Sequence, residues 1–275
     1  MKKLILSLLF AAALISCSKE PYVVVQVADA QLGFDAAVKG SVPGAEYVND
    51  LTFEAEYLKK AVAAINELKP DAVVFSGDQI HLPSNDEQWD TFCGIIADID
   101  PSVKVLHVPG NHDHLLVDGG VDPYPFTSRF GDDHFEHNAK GVKLVGINTS
   151  LIYFKKEQER EQEQFEWLKT ALKKCRKSDV TLVFGHHPFF VYDIDETENH
   201  SQIALEKRHV YFDLFKEMGV GAVYAGHLHE SAAAEYEGIP MRTQTSAAYQ
   251  LGDCEASLRV ITVTRKGIAD ETLAL

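Results

Sequence analysis

The chain has 275 residues, 45% hydrophobic and 24% charged, which is ordinary for a soluble globular protein and leaves room for one sizeable α/β domain or two small ones. Its formal net charge of −15 argues against a nucleic-acid backbone as the main partner, because that partner needs a basic face. The spacings of Cys93, Cys175 and Cys254 fit no zinc motif.

Lys2 and Lys3 precede an apolar stretch, Leu4 to Ile15, that is too short to span a bilayer comfortably and has the layout of a secretory signal. It ends Leu14-Ile15-Ser16-Cys17, which resembles the lipobox of bacterial lipoproteins. That resemblance implies cleavage before Cys17, lipidation of its thiol, and a mature chain anchored to the cell envelope, on the periplasmic face or the surface of an outer membrane. Residues 1–17 are therefore expected to be the signal and 18–275 one domain, touching the membrane only through the anchor. In an oxidising compartment the three remaining cysteines allow at most one intramolecular disulfide.

Strand and helix then alternate. A strand over 22–28 runs into a polar, glycine-containing loop. The spacing of Phe53, Leu58, Val62, Ile65 and Leu68 predicts a helix over 52–68, stopped by Pro70. A strand over 72–76, a helix over 87–98 and a strand over 103–108 follow. The segment 111–133, with Gly119-Gly120 and Asp122-Pro123, reads as a long loop. Next come a hairpin turning through Asn138 to Gly141, a helix over 159–175 with Phe165, Leu168 and Leu172 inward, and a strand over 180–184. Segment 189–204 is irregular and polar, and a helix over 206–217 leads to a strand over 221–225 and a tail of further strands. With no repeat or linker, this order suggests two packed sheets flanked by helices.

Five of the hydrophobic runs end on a residue that can bind a metal: Asp29, Asp78, Asn111, His186 and His227. Such runs, with little polar alternation, are what strands buried on both faces look like, and open α/β sheets bind ligands at the carboxyl ends of their strands. One strand ending in Asp means nothing, since Asp is a common turn residue. Five ends supplying carboxylates, an amide and imidazoles describe a metal centre assembled from distant segments.

The order Asp29-Ala30-Gln31, Gly77-Asp78, Gly110-Asn111-His112-Asp113, Gly185-His186-His187-Pro188 and Gly226-His227-Leu228-His229 resembles the calcineurin-like metallophosphoesterases over roughly residues 22–230. The resemblance implies a four-layer α/β/β/α sandwich of two mixed sheets, with two divalent ions (Mn, Fe, Zn or Mg) at the C-terminal ends of the strands. It places Asp29, Asp78 and His229 on the first ion and Asp78, Asn111, His186 and His227 on the second. A metal pair lowers the pKa of bound water and clamps the substrate for in-line displacement. His112 is the implied contact to phosphate and leaving group, and Asp113 is expected to orient His112 by hydrogen bond. The glycines before these residues are expected to let the backbone turn tightly away from each strand.

Gln31 departs from the pattern: most of the superfamily places His here as a ligand, and an amide oxygen is a harder, weaker donor. This Asp-x-Gln variant, together with the segment TSAAYQLGDCEASLRVITVT near the C-terminus, resembles one branch of the superfamily, whose animal members are described as serine/threonine protein phosphatases. His107 reads as a satisfied core residue, and His114, His134, His137, His200 and His209 as surface histidines. Arg129 and Arg242 could receive a phosphate, but nothing in the sequence places them in the cleft.

The expected activity is hydrolysis of phosphomonoesters, small molecules or phosphoproteins, with no nucleic-acid substrate. The alternatives are a phosphodiesterase acting on nucleotides or lipid head groups, and a non-catalytic surface lipoprotein that Gln31 alone supports.

Overall fold

A computed structural model describes residues 20–173 and 180–275. The signal, Cys17, Cys175 and the end of the helix expected to reach 175 lie outside the described residues. The strands are β1 (Tyr22–Val27), β2 (Ala72–Ser76), β3 (Lys104–Val108), β4 (Leu115–Val117), β5 (Gly120–Asp122), β6 (Phe135–Ala139), β7 (Val142–Gly146), β8 (Val180–Phe184), β9 (Val220–Ala225), β10 (Ala232–Tyr236), β11 (Ile239–Thr243), β12 (Ser257–Thr264) and β13 (Gly267–Ala274). The helices are α1 (Phe34–Gly40), α2 (Thr52–Leu68), α3 (Asp86–Ile96), α4 (Tyr124–Phe130), α5 (Thr149–Tyr153), α6 (Gln158–Lys173) and α7 (Leu205–Met218). Among the described residues no helix is long and apolar enough to cross a membrane.

Two mixed sheets form the centre. One has the order β13-β12-β1-β2-β3, with β1, β2 and β3 parallel, and the other the order β10-β11-β9-β8-β7-β6, with β11, β9, β8 and β7 parallel. The unalternating apolar runs are explained by what each face touches. Val25 and Val73 point to Leu58, Val62 and Ile65 of α2 and to Trp89 and Phe92 of α3. Their neighbours Val24 and Val74 point the other way, into a layer shared with Leu144, Leu182 and Tyr224 of the second sheet. On the far side Val145, Val183 and Val223 pack on Leu168 and Leu172 of α6 and on Phe212 and Phe215 of α7. Three apolar layers separate four layers of secondary structure, the α/β/β/α order expected.

Several elements differ from expectation. The loop after β1 contains α1, and the segment 111–133 holds the β4–β5 hairpin and α4. These pieces are three to seven residues long, too short to show a periodicity. Phe53 and Leu68 on α2 are exposed while Leu58, Val62 and Ile65 are buried. Segment 189–204 is irregular, as expected, and is held by Arg208. This fully buried guanidinium donates to the carbonyls of Ile203, Ile194 and Glu196 and to Gln202 Oε1. Cys93 and Cys254 are free thiols.

His107 is half-buried rather than a satisfied core residue. Its ring stacks on Phe75 (5.0 Å) and Phe130 (4.1 Å), and its Nδ1 is buried with no hydrogen-bond partner among the described residues. Burial pushes its pKa down from 6.5 to about 3. Between those values the unfolded chain takes up a proton that the folded chain refuses, so this contribution is complete above pH 6.5 and lost as pH falls toward 3. His107→Phe is therefore expected to lose less stability than the parent between pH 7.5 and pH 4.5, by on the order of 1–2 kcal/mol. Urea unfolding at the two pH values checks this, and equal losses would refute it.

Candidate metal centre

The C-terminal ends of β1, β2 and β3 in one sheet meet those of β8 and β9 in the other. Each strand is followed within three residues by a side chain of the site: Asp29, Asp78, Asn111, His186 and His227. Backbone bonds lock the ends together. Asp29 N donates to Gly77 O (3.1 Å), Gln31 N to Asp78 O (2.8 Å) and Gly226 N to His186 O (2.9 Å).

Tight turns alone do not explain the glycines. Gly77 has φ 96°, where a side chain is strained, but Gly110 has an ordinary φ of −101°. A Cβ on Gly110 would overlap the Asp78 carboxylate and backbone nitrogen, so what this glycine provides is space.

His186 Nε2 is the point of convergence. It lies 3.2 Å from Asp78 Oδ2, 3.1 Å from Asn111 Oδ1 and 3.2 Å from His227 Nδ1. Its other nitrogen, Nδ1, donates to Ser76 O at 3.0 Å, which leaves the Nε2 lone pair facing these three atoms. Donor atoms of Asp78, His186 and His227 all lie within 4.8 Å of one another. Burial opposes charge on His186, but Asp78 outweighs it and raises the imidazole to about 9. Burial likewise opposes charge on Asp78, and His186 and His112 hold that carboxyl well below the ordinary range. The arrangement demands positive charge at this point. The carboxylate, amide oxygen and imidazole donors suit a divalent ion.

A second demand arises beside it. The Asp29 carboxylate, 1% exposed, accepts from His227 N at 2.9 Å and 3.2 Å and lies 3.6 Å from His229 Nε2. His229 Nδ1 donates to Tyr249 O, which turns Nε2 toward Asp29. Burial pushes the Asp29 carboxyl up, with His229 and His186 only partly offsetting it. Gln31, 2% exposed, carries a buried Oε1 with no partner among the described residues, while its Nε2 lies 3.5 Å from His81 Nδ1. The site thus fits two cations: one among Asp78, Asn111, His186 and His227, and one among Asp29, Asp78, His229 and the orphaned Gln31 oxygen.

His112 lies beside Asp78, and Asp113 does not orient it. The His112 backbone N–H donates to Asp78 Oδ1 at 2.8 Å, and His112 Nδ1 donates to His81 O at 2.9 Å. Asp113, expected to orient His112, instead accepts from Gly110 N (2.7 Å) and Gln79 N (3.0 Å). Asn111 to Asp113 form one 3-10 turn, in which successive side chains point about 120° apart. Asp113 braces the loop, and His81 orients the ring through its backbone. His114 is a further correction: expected at the surface, it is 1% exposed, donating from Nδ1 to Gly110 O and accepting at Nε2 from Asn148 Nδ2. Arg129 is taken up by Asp86 and Pro125 O, and Arg242 by Ala234 O and Asp270, so neither joins the centre.

Two positioning residues lie outside the sequence motifs. Thr149 Oγ1 accepts from the backbone N–H of both His186 (3.0 Å) and His187 (2.8 Å). Ser246 Oγ donates to Asp29 O at 2.7 Å and accepts from Ala248 N and Tyr249 N. Thr149 had a signal, since the run KLVGINT ends in polar residues as the five recognised runs do.

The family model described as calcineurin-like phosphoesterase matches residues 47–231. The chain is 30% identical over 264 residues to the serine/threonine-protein phosphatase CPPED1 of Danio rerio, covering 90% of this chain and 83% of the relative. It is 28% identical over 197 residues to a probable cyclic nucleotide phosphodiesterase of Rhodococcus erythropolis, covering 66% and 58%. A dimetal phosphatase from Danio rerio shares the fold with a TM-score of 0.65 at 17% identity, over 91% of this chain and 98% of that one. A purple acid phosphatase from yellow lupin does so at 0.66 and 15%, over 93% and 52%. The chain belongs to the calcineurin-like phosphoesterase family, hydrolases of phosphate esters that work with two divalent metal ions.

Proposed function

We propose that this protein is a phosphomonoesterase, anchored to a bacterial cell envelope through Cys17, with its single domain beginning at residue 18. The convergence of Asp78, Asn111 and His227 on His186 Nε2 carries the catalytic part of this reading. Asp29, Asp78, His229 and Gln31 Oε1 would hold one ion; Asp78, Asn111, His186 and His227 would hold the other. When bound, such a pair supplies an activated water and a sink for phosphoryl charge.

The chain's own groups do the rest. Asp78 is tied through Oδ1 to the backbone of His112, so ligand and acid move as a unit. His112 donates from Nδ1 to His81 O and stacks on the His81 ring at 4.7 Å, which fixes its plane and leaves Nε2 to pass a proton to the leaving oxygen. The substrate is a small phosphorylated molecule or a phosphoprotein; the protein-phosphatase relative, matched over more of both chains, supports monoesters ahead of diesters. The phosphodiesterase relative supports cyclic nucleotides as the second reading. The sequence around Cys17 supports the anchor.

The chain lacking residues 1–17, reloaded with Mn²⁺, Fe²⁺, Zn²⁺ or Mg²⁺, is expected to hydrolyse a generic phosphomonoester faster than a generic diester. His112→Ala should lower kcat about 10²–10⁴-fold with metal content unchanged, whereas Asp78→Asn should lose metal and activity together. Folded protein inactive with every metal would favour a binding role. Gln31→His should raise zinc affinity, because imidazole is the softer donor; unaltered affinity and metal content would remove Gln31 from the ligand set. In a host that processes lipoproteins, Cys17→Ser should move the protein out of the membrane fraction, and its retention there would sink the anchor.

A further inference from the structure

A groove of about 300 Å³ has His112 in its lining. His81, Leu82 and Pro83, on the segment leaving Asp78, line it together with Leu116 on the β4–β5 hairpin and Phe154 just after α5. Three of its eight lining residues are histidines, and none is Lys, Arg, Asp or Glu. Leu116 is 67% exposed, an apolar side chain held in solvent at the edge of the reacting centre. Lys155 and Lys156, next to Phe154 in the chain, are not among the lining residues; Lys156 donates to Asp118 O, and Lys155 lines an adjoining cavity.

We propose that this groove receives the leaving group, and that Leu116 and Phe154 select an uncharged, ring-bearing one against any that carries a second anionic group. This rests on the phosphomonoesterase reading. Two bound metal ions would neutralise the phosphoryl group. A carboxylate or second phosphate on the leaving group would give up water against this lining without meeting a Lys or Arg of it. An uncharged ring buries apolar surface against Phe154, Leu82 and Leu116.

Phenyl phosphate and 4-carboxyphenyl phosphate form a matched pair: they differ by one remote carboxylate, and the second has the slightly better leaving group. With the metal-loaded chain lacking residues 1–17, kcat/KM is expected to favour phenyl phosphate by about tenfold or more, roughly 1.4 kcal/mol, against the intrinsic order of reactivity. Leu116→Lys should shrink or invert that ratio by raising the rate on the carboxylated ester. Phe154→Ala should raise KM for phenyl phosphate more than it lowers kcat. A ratio near one, or a ratio that Leu116→Lys leaves unmoved, overturns the groove's role while the phosphatase reading stands. No turnover of either ester by folded, metal-loaded protein overturns that reading, and this inference with it.

Discussion

Asp29 and Asp78 are carboxylates with almost no exposed surface, facing imidazole nitrogens across the seam between two sheets. Taking two such charges out of water is unfavourable unless positive charge meets them there. That constraint shapes most of the site's architecture. β1, β2, β8 and β9 carry no Lys, Arg or His, so the countercharge comes from residues just beyond their C-terminal ends. Imidazoles arrive from β8 and β9, and backbone N–H groups of His112 and His227 solvate the carboxylates. Gln26 adds a polar stitch within the dry seam, its Nε2 donating to Ser76 Oγ and to Ala225 O.

The parts legible in the sequence are those whose cause is local in the chain. An apolar run closed by Asp, Asn or His marks a buried strand entering a site, and β1, β2, β3, β8 and β9 are all of this kind. Helices α2 and α6 repeat often enough to show a period. What stayed illegible depends on direction or on distant neighbours. The sequence places Asp113 beside His112 but cannot say that a 3-10 turn aims them apart. His114 looks like a loop histidine until Gly110 O and Asn148 enclose it. Ser246 reaches the Asp29 backbone from 217 residues away, and no spacing rule spans that distance. Gln31 was visible as a departure, and only the structure shows its oxygen buried without a partner.

The backbone at the site is itself unusual. Asp29, Asp78, His227, His229 and Gln31 all have positive φ, between 39° and 73°. Side chains other than glycine disfavour this region by roughly 1–2 kcal/mol each, although Asp and His are among those that tolerate it better. The turns persist because bonds such as Gln31 N to Asp78 O and Asp29 N to Gly77 O over-determine them. Aiming five side chains inward from strand ends thus takes conformations that the segments would not choose alone.

Because the donors come from both sheets, an ion bound there is also a rivet. It holds only when the seam is closed, so each ion seen by the folded chain alone adds RT ln(1 + [M]/Kd), about 2.7 kcal/mol at a hundredfold excess over Kd. Cofactor supply and fold integrity then become one equilibrium. A chelator removes that stabilising increment together with the chemistry.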